Sequence, residues 1–246
     1  MLKILFKVIL ILTIIFCAFF VFFFATFNTQ AFPSINQKYR DQFARNDFLK
    51  KIFKLDQIGD AKADLLTITK PNLDIIVAET GDFTLRADTD SFLENQIRAV
   101  TGAAQVKVRE VKESEINDLS DPNVEKISRQ VTRSEGSQNP LVVILLNKSS
   151  DLPTKVGLAI NDRTILIFEG RINELSETES IRKEIERSTI LHEFGHLIGL
   201  GHNQIDDCLM NESVESPGNQ ITVFLPQKFC DFELGEIEKM RGELES

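Results

Sequence analysis

The segment STILHEFGHLIGLGHNQIDDCLMNES, residues 188–213, contains every histidine of this 246-residue chain. The three histidines are His192, His196 and His202. Histidines that only pack or cover a surface have no physical reason to gather in one short segment, whereas the ligands of a single metal ion must come together. The clustering therefore predicts a metal site in this segment.

A long helix is predicted to carry the first two histidines. His192 and His196 are four residues apart, so a helix presents both imidazoles on the same face. Ser176 followed by Glu179 predicts a capping box at the start of this helix, and Gly199 predicts its end. The positions that recur with helical spacing are Ile181, Ile185, Thr189, His192 and His196.

The third histidine completes a set of ligands typical of a catalytic metal. Gly199 allows the chain to leave the helix sharply, so that His202 can return toward the helical pair. Three histidines leave the fourth position of a tetrahedral zinc ion open for water. Glu193 is then placed to take a proton from zinc-bound water as that water attacks a carbonyl. The sequence predicts one catalytic Zn²⁺, held by His192, His196 and His202, with Glu193 as general base.

The pattern His-Glu-x-x-His-x-x-Gly-x-x-His, followed by a methionine, resembles the signature of the metzincin zinc peptidases. The resemblance is strong over residues 188–213 and loose over 141–246. It implies a metzincin-type zincin domain that hydrolyses peptide bonds. It also implies that Met210 lies in a turn and forms an apolar floor beneath the metal. The matching positions are His192, Glu193, His196, Gly199 and His202.

Two branches of that family, archaemetzincins and matrixins, are similar to this chain. Archaemetzincins carry four cysteines that together bind a second zinc. Cys208 and Cys230 match two of those positions, but Asn203 and Glu233 occupy the other two, so a four-cysteine zinc site is not available. Matrixins usually have serine where this chain has Asn203. The resemblance leaves the branch open.

The two downstream cysteines are predicted to form a disulfide. Cys208 and Cys230 are an even pair outside the apolar N-terminal stretch that contains Cys17. An even pair in a domain outside the cytoplasm favours a disulfide. Such a bond would tether the methionine turn to the C-terminal helix.

A sheet is predicted before the long helix. The polar break at 161–163 is short enough for a hairpin. Strand, helix and strand, followed by further strands, predict an α+β fold with a mixed twisted sheet packed on the long active-site helix. The predicted strands are 72–80, 105–111, 141–146, 155–160 and 164–170, and the predicted helices are 88–102 and 124–131.

The N-terminus predicts a membrane-spanning helix. Residues 8–27 carry no charge and, at 1.5 Å per residue, span a hydrocarbon core of roughly 30 Å. This length favours an uncleaved transmembrane anchor, although residues 29–31 leave a cleaved secretory signal open. Basic residues on both sides hardly decide the orientation. A short N-terminal tail favours a catalytic domain outside the cytoplasm.

Three regions are predicted along the chain. Residues 1–27 form the anchor or signal, 28–62 a juxtamembrane helical stalk, and 63–246 the metzincin-like catalytic domain. The middle region suits an amphipathic helix that lies on the membrane or packs on the domain, or a solvated linker. Its apolar positions with helical spacing are Tyr39, Phe43, Phe48, Ile52 and Phe53.

Together these patterns predict a membrane-tethered zinc endopeptidase that acts on a peptide or protein substrate. A net charge of −9 argues against a nucleic-acid partner. The strand at 155–160 is the candidate edge for pairing with extended substrate. One alternative is a non-catalytic zinc-holding binding module on a membrane stalk, against which Glu193 argues. Another is a soluble secreted protease.

Overall fold

A computed structural model describes residues 2–29, 33–67, 71–113, 123–134, 137, 139–215 and 225–245 of the chain. The chain forms two compact units, Met1–Asp56 and Gln57–Ser246. Each unit buries an apolar cluster of its own. The long apolar stretch belongs to the first unit and the histidine segment to the second.

The first unit is a helical assembly held together by aromatic side chains. Its helices are α1 Leu2–Asn28, α2 Pro33–Ala44 and α3 Asp47–Phe53. The rings of Phe23 and Phe27, near the end of α1, lie 5.0 and 5.2 Å from the ring of Phe43. Phe53 lies 5.7 Å from Phe27. Phe48, predicted to share this apolar face, is instead 71% exposed.

Helix α1 is long and apolar enough to cross a membrane, by its length and composition. The candidate span, Lys3–Asn28, has 26 residues. The side chains from Ile4 to Phe22 are almost all exposed in the folded unit. The predicted cleavage site includes residues 30 and 31, which lie outside the described residues.

The second unit is built on a five-stranded mixed sheet with the strand order β2-β1-β3-β5-β4. The strands are β1 Asn72–Thr80, β2 Gln105–Glu113, β3 Pro140–Leu146, β4 Gly157–Ala159 and β5 Thr164–Phe168. Among the strands of the described residues, only the β4–β5 pair is antiparallel, which confirms the predicted hairpin. The central strands are apolar on both faces, as expected for parallel strands covered by helices.

Helices cover both faces of this sheet. The helices of the second unit are α4 Lys62–Leu66, α5 Thr89–Thr101, α6 Asn123–Ser134, α7 Glu169–Leu175, α8 Glu179–Leu197, α9 Glu212–Glu215 and α10 Asp231–Glu245. Helices α5 and α8 bury Leu93, Ile97 and Phe194 against one face. Helix α6 buries Val124 and Ile127 against the other. The mixed sheet packed on a long helix is therefore present.

Two local predictions are wrong. The predicted strand 164–170 ends at Phe168, and α7 begins at Glu169. The β3–β5 ladder ends there because Phe168 pairs with Leu146, the last residue of β3. The predicted capping box is also wrong: α8 begins after Thr178, and Ser176 accepts a hydrogen bond from the Thr178 N–H at 3.0 Å.

A buried ion cluster ties α8 to the loop before α5. Arg86 donates to Glu186 at 3.0 Å and also to Glu169, the first residue of α7. The hydroxyl of Thr89 donates to Glu186 at 2.7 Å. Burial, and then the neighbouring Glu186 carboxylate, raise the pKa of Glu169 to about 8. Arg86 also lies 3.3 Å from a carboxylate oxygen of Glu179, so this one guanidinium contacts three carboxyl groups.

Candidate metal centre

The three histidines converge on one point. The Nε2 atom of His202 lies 3.2 Å from that of His192 and 3.1 Å from that of His196. Zinc–nitrogen bonds of about 2.0–2.1 Å in tetrahedral geometry hold ligand nitrogens roughly 3.3 Å apart. The spacing of the three ring nitrogens fits one such ion. Within the described residues, the side chains of His192, His196 and His202 form a group that could hold a metal.

Backbone carbonyls fix the orientation of the two helical histidines. The Nδ1 of His192 donates to the Leu209 carbonyl at 2.7 Å, and that of His196 to the Leu200 carbonyl at 2.9 Å. Because a carbonyl only accepts, each Nδ1 carries the proton and each Nε2 keeps its lone pair for a metal. Burial lowers the pKa of His192 to about 3, so this imidazole is neutral.

The end of α8 brings the Leu200 carbonyl back to the second histidine. Gly199 has φ +95°, a left-handed conformation that favours glycine. Its N–H donates to His196 O at 3.0 Å, and the Leu200 N–H donates to Gly195 O at 2.9 Å. These two bonds form a Schellman motif at the end of the helix. The predicted helix end is thus also what positions His196.

Met210 packs directly against α8 between the two ligand-bearing turns. A Cβ at Gly195 would meet the Met210 sulfur and the ring of Phe229, so only glycine admits this close approach. Met210 is fully buried. Its carbonyl accepts a hydrogen bond of 2.9 Å from the N–H of Asn203, the residue after His202. The methionine is therefore linked to both the helix and the third histidine.

Glu193 is fully buried and is held by the edge strand β4. Its Oε2 accepts a hydrogen bond of 2.7 Å from the N–H of Ala159. A Cβ at Gly157 would collide with Thr189 and crowd Glu193, so glycine lets β4 approach α8. Sequence reasoning missed this contact; Gly157 within an apolar run was its one visible indication.

A disulfide and a buried carboxylate hold the segment that follows the histidines. Cys208 and Cys230 form a disulfide. Glu233, which the sequence marked only as a residue in place of a cysteine, is buried and accepts a hydrogen bond from Asn203 at 2.9 Å. Although both sulfurs lie within 4.8 Å of the Glu233 carboxylate, they are bonded to each other and are not thiolate ligands.

Comparison with known proteins relates this fold to one group of solved structures. No family model and no curated protein matches the sequence. The archaemetzincin of Methanopyrus kandleri is similar with a TM-score of 0.50 and 17% identity, covering 70% of this chain and 96% of that one. An archaemetzincin of Archaeoglobus fulgidus has a TM-score of 0.41 and 15% identity, and the match covers 67% of this chain and 99% of that one. A zinc-dependent peptidase from Methanocorpusculum labreanum has a TM-score of 0.46 and 14% identity, and the match covers 66% of this chain and 99% of that one. The mixed α/β fold of this chain is therefore similar to that of an archaemetzincin.

Proposed function

We propose that this chain is a zinc-dependent endopeptidase in which His192, His196 and His202 hold one Zn²⁺. The observation that carries the proposal is the convergence of three Nε2 atoms at 3.1 and 3.2 Å. When bound, zinc supplies a Lewis acid that polarises a carbonyl and lowers the pKa of water toward about 7. Metzincin-like architecture supports this choice of chemistry.

Glu193 is the general base in this proposal. The N–H of Ala159 holds one carboxylate oxygen at 2.7 Å and so restricts the rotation of the side chain. The carboxylate takes a proton from the attacking water and delivers it to the leaving amine. A module that only holds zinc has no use for a carboxylate at this position, which favours the enzyme over a binding module.

Strand β4 is the proposed docking edge for substrate. Among the described residues, β4 pairs only with β5. In an antiparallel ladder, alternate residues direct their N–H and C=O groups away from the partner strand. Ile160 donates to Thr164 in β5, so the N–H and C=O groups of Gly157 and Ala159 point away from β5. Of these, the Ala159 N–H is bonded to Glu193, and substrate would pair with the others. An extended peptide would bind there by backbone pairing, close to Glu193.

The first unit is the proposed membrane anchor. The exposed apolar side chains of α1 run from Ile4 to Phe22, about 28 Å at 1.5 Å per residue. Phe23 and Phe27 pack against Phe43, so removal of α1 at residues 29–31 would strip the aromatic cluster. This favours a retained anchor over a cleaved signal. The disulfide favours a catalytic domain outside the cytoplasm.

The test is metal analysis of the full chain in detergent, combined with cleavage of a mixed peptide library. We expect about one zinc per chain and cleavage at internal peptide bonds. His202→Ala should lose both properties, because it removes a proposed ligand. A wild-type protein that binds zinc but cleaves nothing across the library would favour the binding module instead.

A further inference from the structure

Glu233 is a buried carboxylate, 1% exposed, that the proposed mechanism does not use. Its Oε1 accepts hydrogen bonds from the Asn203 side chain at 2.9 Å and the Met210 N–H at 2.5 Å. Its Oε2 accepts from the N–H groups of Leu209 at 3.2 Å and Cys230 at 2.9 Å. All four donors are neutral, so the carboxylate is solvated by amide dipoles.

One of these bonds continues directly to a histidine. The Met210 N–H and the Leu209 carbonyl belong to the same peptide group. That group donates to Glu233 on one side and accepts from His192 Nδ1 on the other. A negative charge on the N–H side polarises the carbonyl and strengthens its bond to the imidazole. Glu233 is thus connected to His192 through a single peptide unit.

A second bond reaches the third histidine. Asn203 immediately follows His202, and its side-chain amide donates to Glu233 while its backbone N–H donates to the Met210 carbonyl. Two hydrogen bonds therefore hold the residue next to His202. His202 is exposed and lies beyond the end of α8, so the two bonds to the adjacent residue help to fix its position.

Glu233 is itself held at the start of α10. The Cys230 N–H donates to Glu233 and the Cys230 carbonyl accepts from Leu234, which is the arrangement of the first turn of a capped helix. The disulfide joins Cys230 to Cys208, beside Leu209. We call Glu233, Asn203 and the Cys208–Cys230 disulfide the clasp.

We propose that Glu233 is a positioning residue of the metal centre, which orients His192 through the Leu209–Met210 peptide and His202 through Asn203. The inference rests on the ligand assignment made above. In this proposal the clasp raises the affinity of the histidines for the metal, in addition to capping α10. Partners of this kind, one contact removed from the metal, typically change metal affinity about 10–100-fold when lost.

Glu233→Gln tests the proposal with little change in shape. An amide group keeps only one acceptor oxygen, so either orientation loses two accepted hydrogen bonds and turns an NH₂ toward N–H donors. We expect the zinc dissociation constant, measured by competition with a chromophoric chelator, to rise about tenfold or more. Glu236→Gln, on an exposed position of the same helix, should leave it unchanged.

Asn203→Ala gives a milder variant in case Glu233→Gln does not fold. It removes one bond to the carboxylate, so we expect a smaller, few-fold rise in the zinc dissociation constant. In the double variant the two effects should be less than additive, because they act on the same contact.

A purely structural role predicts a different outcome. In that case Glu233→Gln would lower the melting temperature of the metal-free protein, while zinc affinity well below that temperature stayed unchanged. Unchanged affinity in both Glu233→Gln and Asn203→Ala would overturn the proposal. Failure of the proposed peptidase function would appear separately, as zinc binding without peptide cleavage in the wild type.

Discussion

Glu193 lies in the helix next to His192, and its carboxylate is held by a backbone N–H of the edge strand. Glu193→Ala should retain zinc, because the carboxylate is not a proposed ligand. Alanine has a high helix propensity, so α8 should remain helical. Removal of a general base typically reduces the rate about 10²–10⁴-fold. We expect kcat to fall by this amount while zinc content stays near wild type; Tm should drop somewhat, because the buried N–H of Ala159 loses its acceptor.

Glu193→Gln is the matched control for loss of the Ala159 contact. The amide oxygen can still accept from the Ala159 N–H, but the side chain no longer acts as a base. We therefore expect the same loss of kcat in both variants. Cleavage by Glu193→Gln at the wild-type rate would show that Glu193 is not the base.

Gly199 offers a test of backbone conformation at the metal centre. Its φ of +95° is strained for any L-residue with a side chain, at about 1–2 kcal/mol. Gly199→Ala should lower the free energy of unfolding by about that amount and weaken zinc binding through the Leu200 carbonyl. Gly201→Ala is the control, since a Cβ at Gly201 meets no atom within 4 Å. Equal stability of the two variants in urea would contradict this account.

Residue spacing predicted the side chains of the candidate site better than its backbone partners. The intervals from His192 to His202 predict which residues gather, because a ligand must be one of a few residue types. The carbonyls of Leu200 and Leu209 and the N–H of Ala159 are present in every residue, so no sequence pattern marks them. The role of Glu233 was not predicted for a related reason, because three of its four hydrogen-bond donors are backbone amides.

At the scale of elements, the ion cluster between α7 and α8 makes stability depend on pH. The pKa of Glu169 is about 8 in the folded chain, against an ordinary value of 4.5. Between these values the folded state holds one more proton than the unfolded state. The stability from this group is therefore present below about pH 4.5 and is lost as the pH rises through about 8.

Glu169→Gln should remove this dependence, since glutamine imitates the protonated carboxyl beside Arg86 and Glu186. Urea unfolding at several pH values between about 5 and 8 measures how the free energy of unfolding depends on pH. This free energy should change less with pH in the variant than in the wild type. Glu174→Gln is the control, because Glu174 lies on the same helix with its side chain half exposed. A steep slope retained in Glu169→Gln would place the titrating group elsewhere.

Elements with uniform patterns were predicted well, and their ends less well. The strand 72–80 is observed with those bounds, and its apolar centre at 75–78 is fully buried. The strand predicted at 155–160 is only three residues long, Gly157–Ala159. The flanking residues Val156 and Ile160 still form hydrogen bonds with Phe168 and Thr164 of β5, so the extended pairing reaches one residue beyond each end of β4. The start of α8 was misjudged because Ser176 uses its hydroxyl in a local turn.

At the scale of the whole molecule, the aromatic cluster of the first unit favours a retained anchor over a cleaved signal. If α1 is retained, the mature protein should fractionate with membranes and contain residues 1–27, as measured by intact mass and N-terminal sequencing. Phe27→Ala should open the cluster and expose residues 33–56 to protease, since a buried phenylalanine contributes about 3–5 kcal/mol.

Phe48→Ala is the matched control for that variant, because Phe48 is exposed on the same unit. It should keep the wild-type pattern of proteolysis. A mature chain that begins after residue 31 would contradict the retained anchor and favour a secreted protein. The second unit should resist protease equally in all three proteins, because its core is separate.

The disulfide has a consequence for how the protein recovers after losing its metal. It closes a loop between residues 22 apart in sequence, which in the chain-entropy model contributes about 3 kcal/mol. The loop begins beside Leu209 and Met210, whose carbonyls accept from His192 and from the residue after His202. A chelator therefore removes the ion while the disulfide still holds these partners of the ligands in place. Zinc added back should restore binding quickly after chelation alone. After chelation together with a reductant, zinc binding should recover slowly, because residues 208–230 must first return to their place beside the histidines.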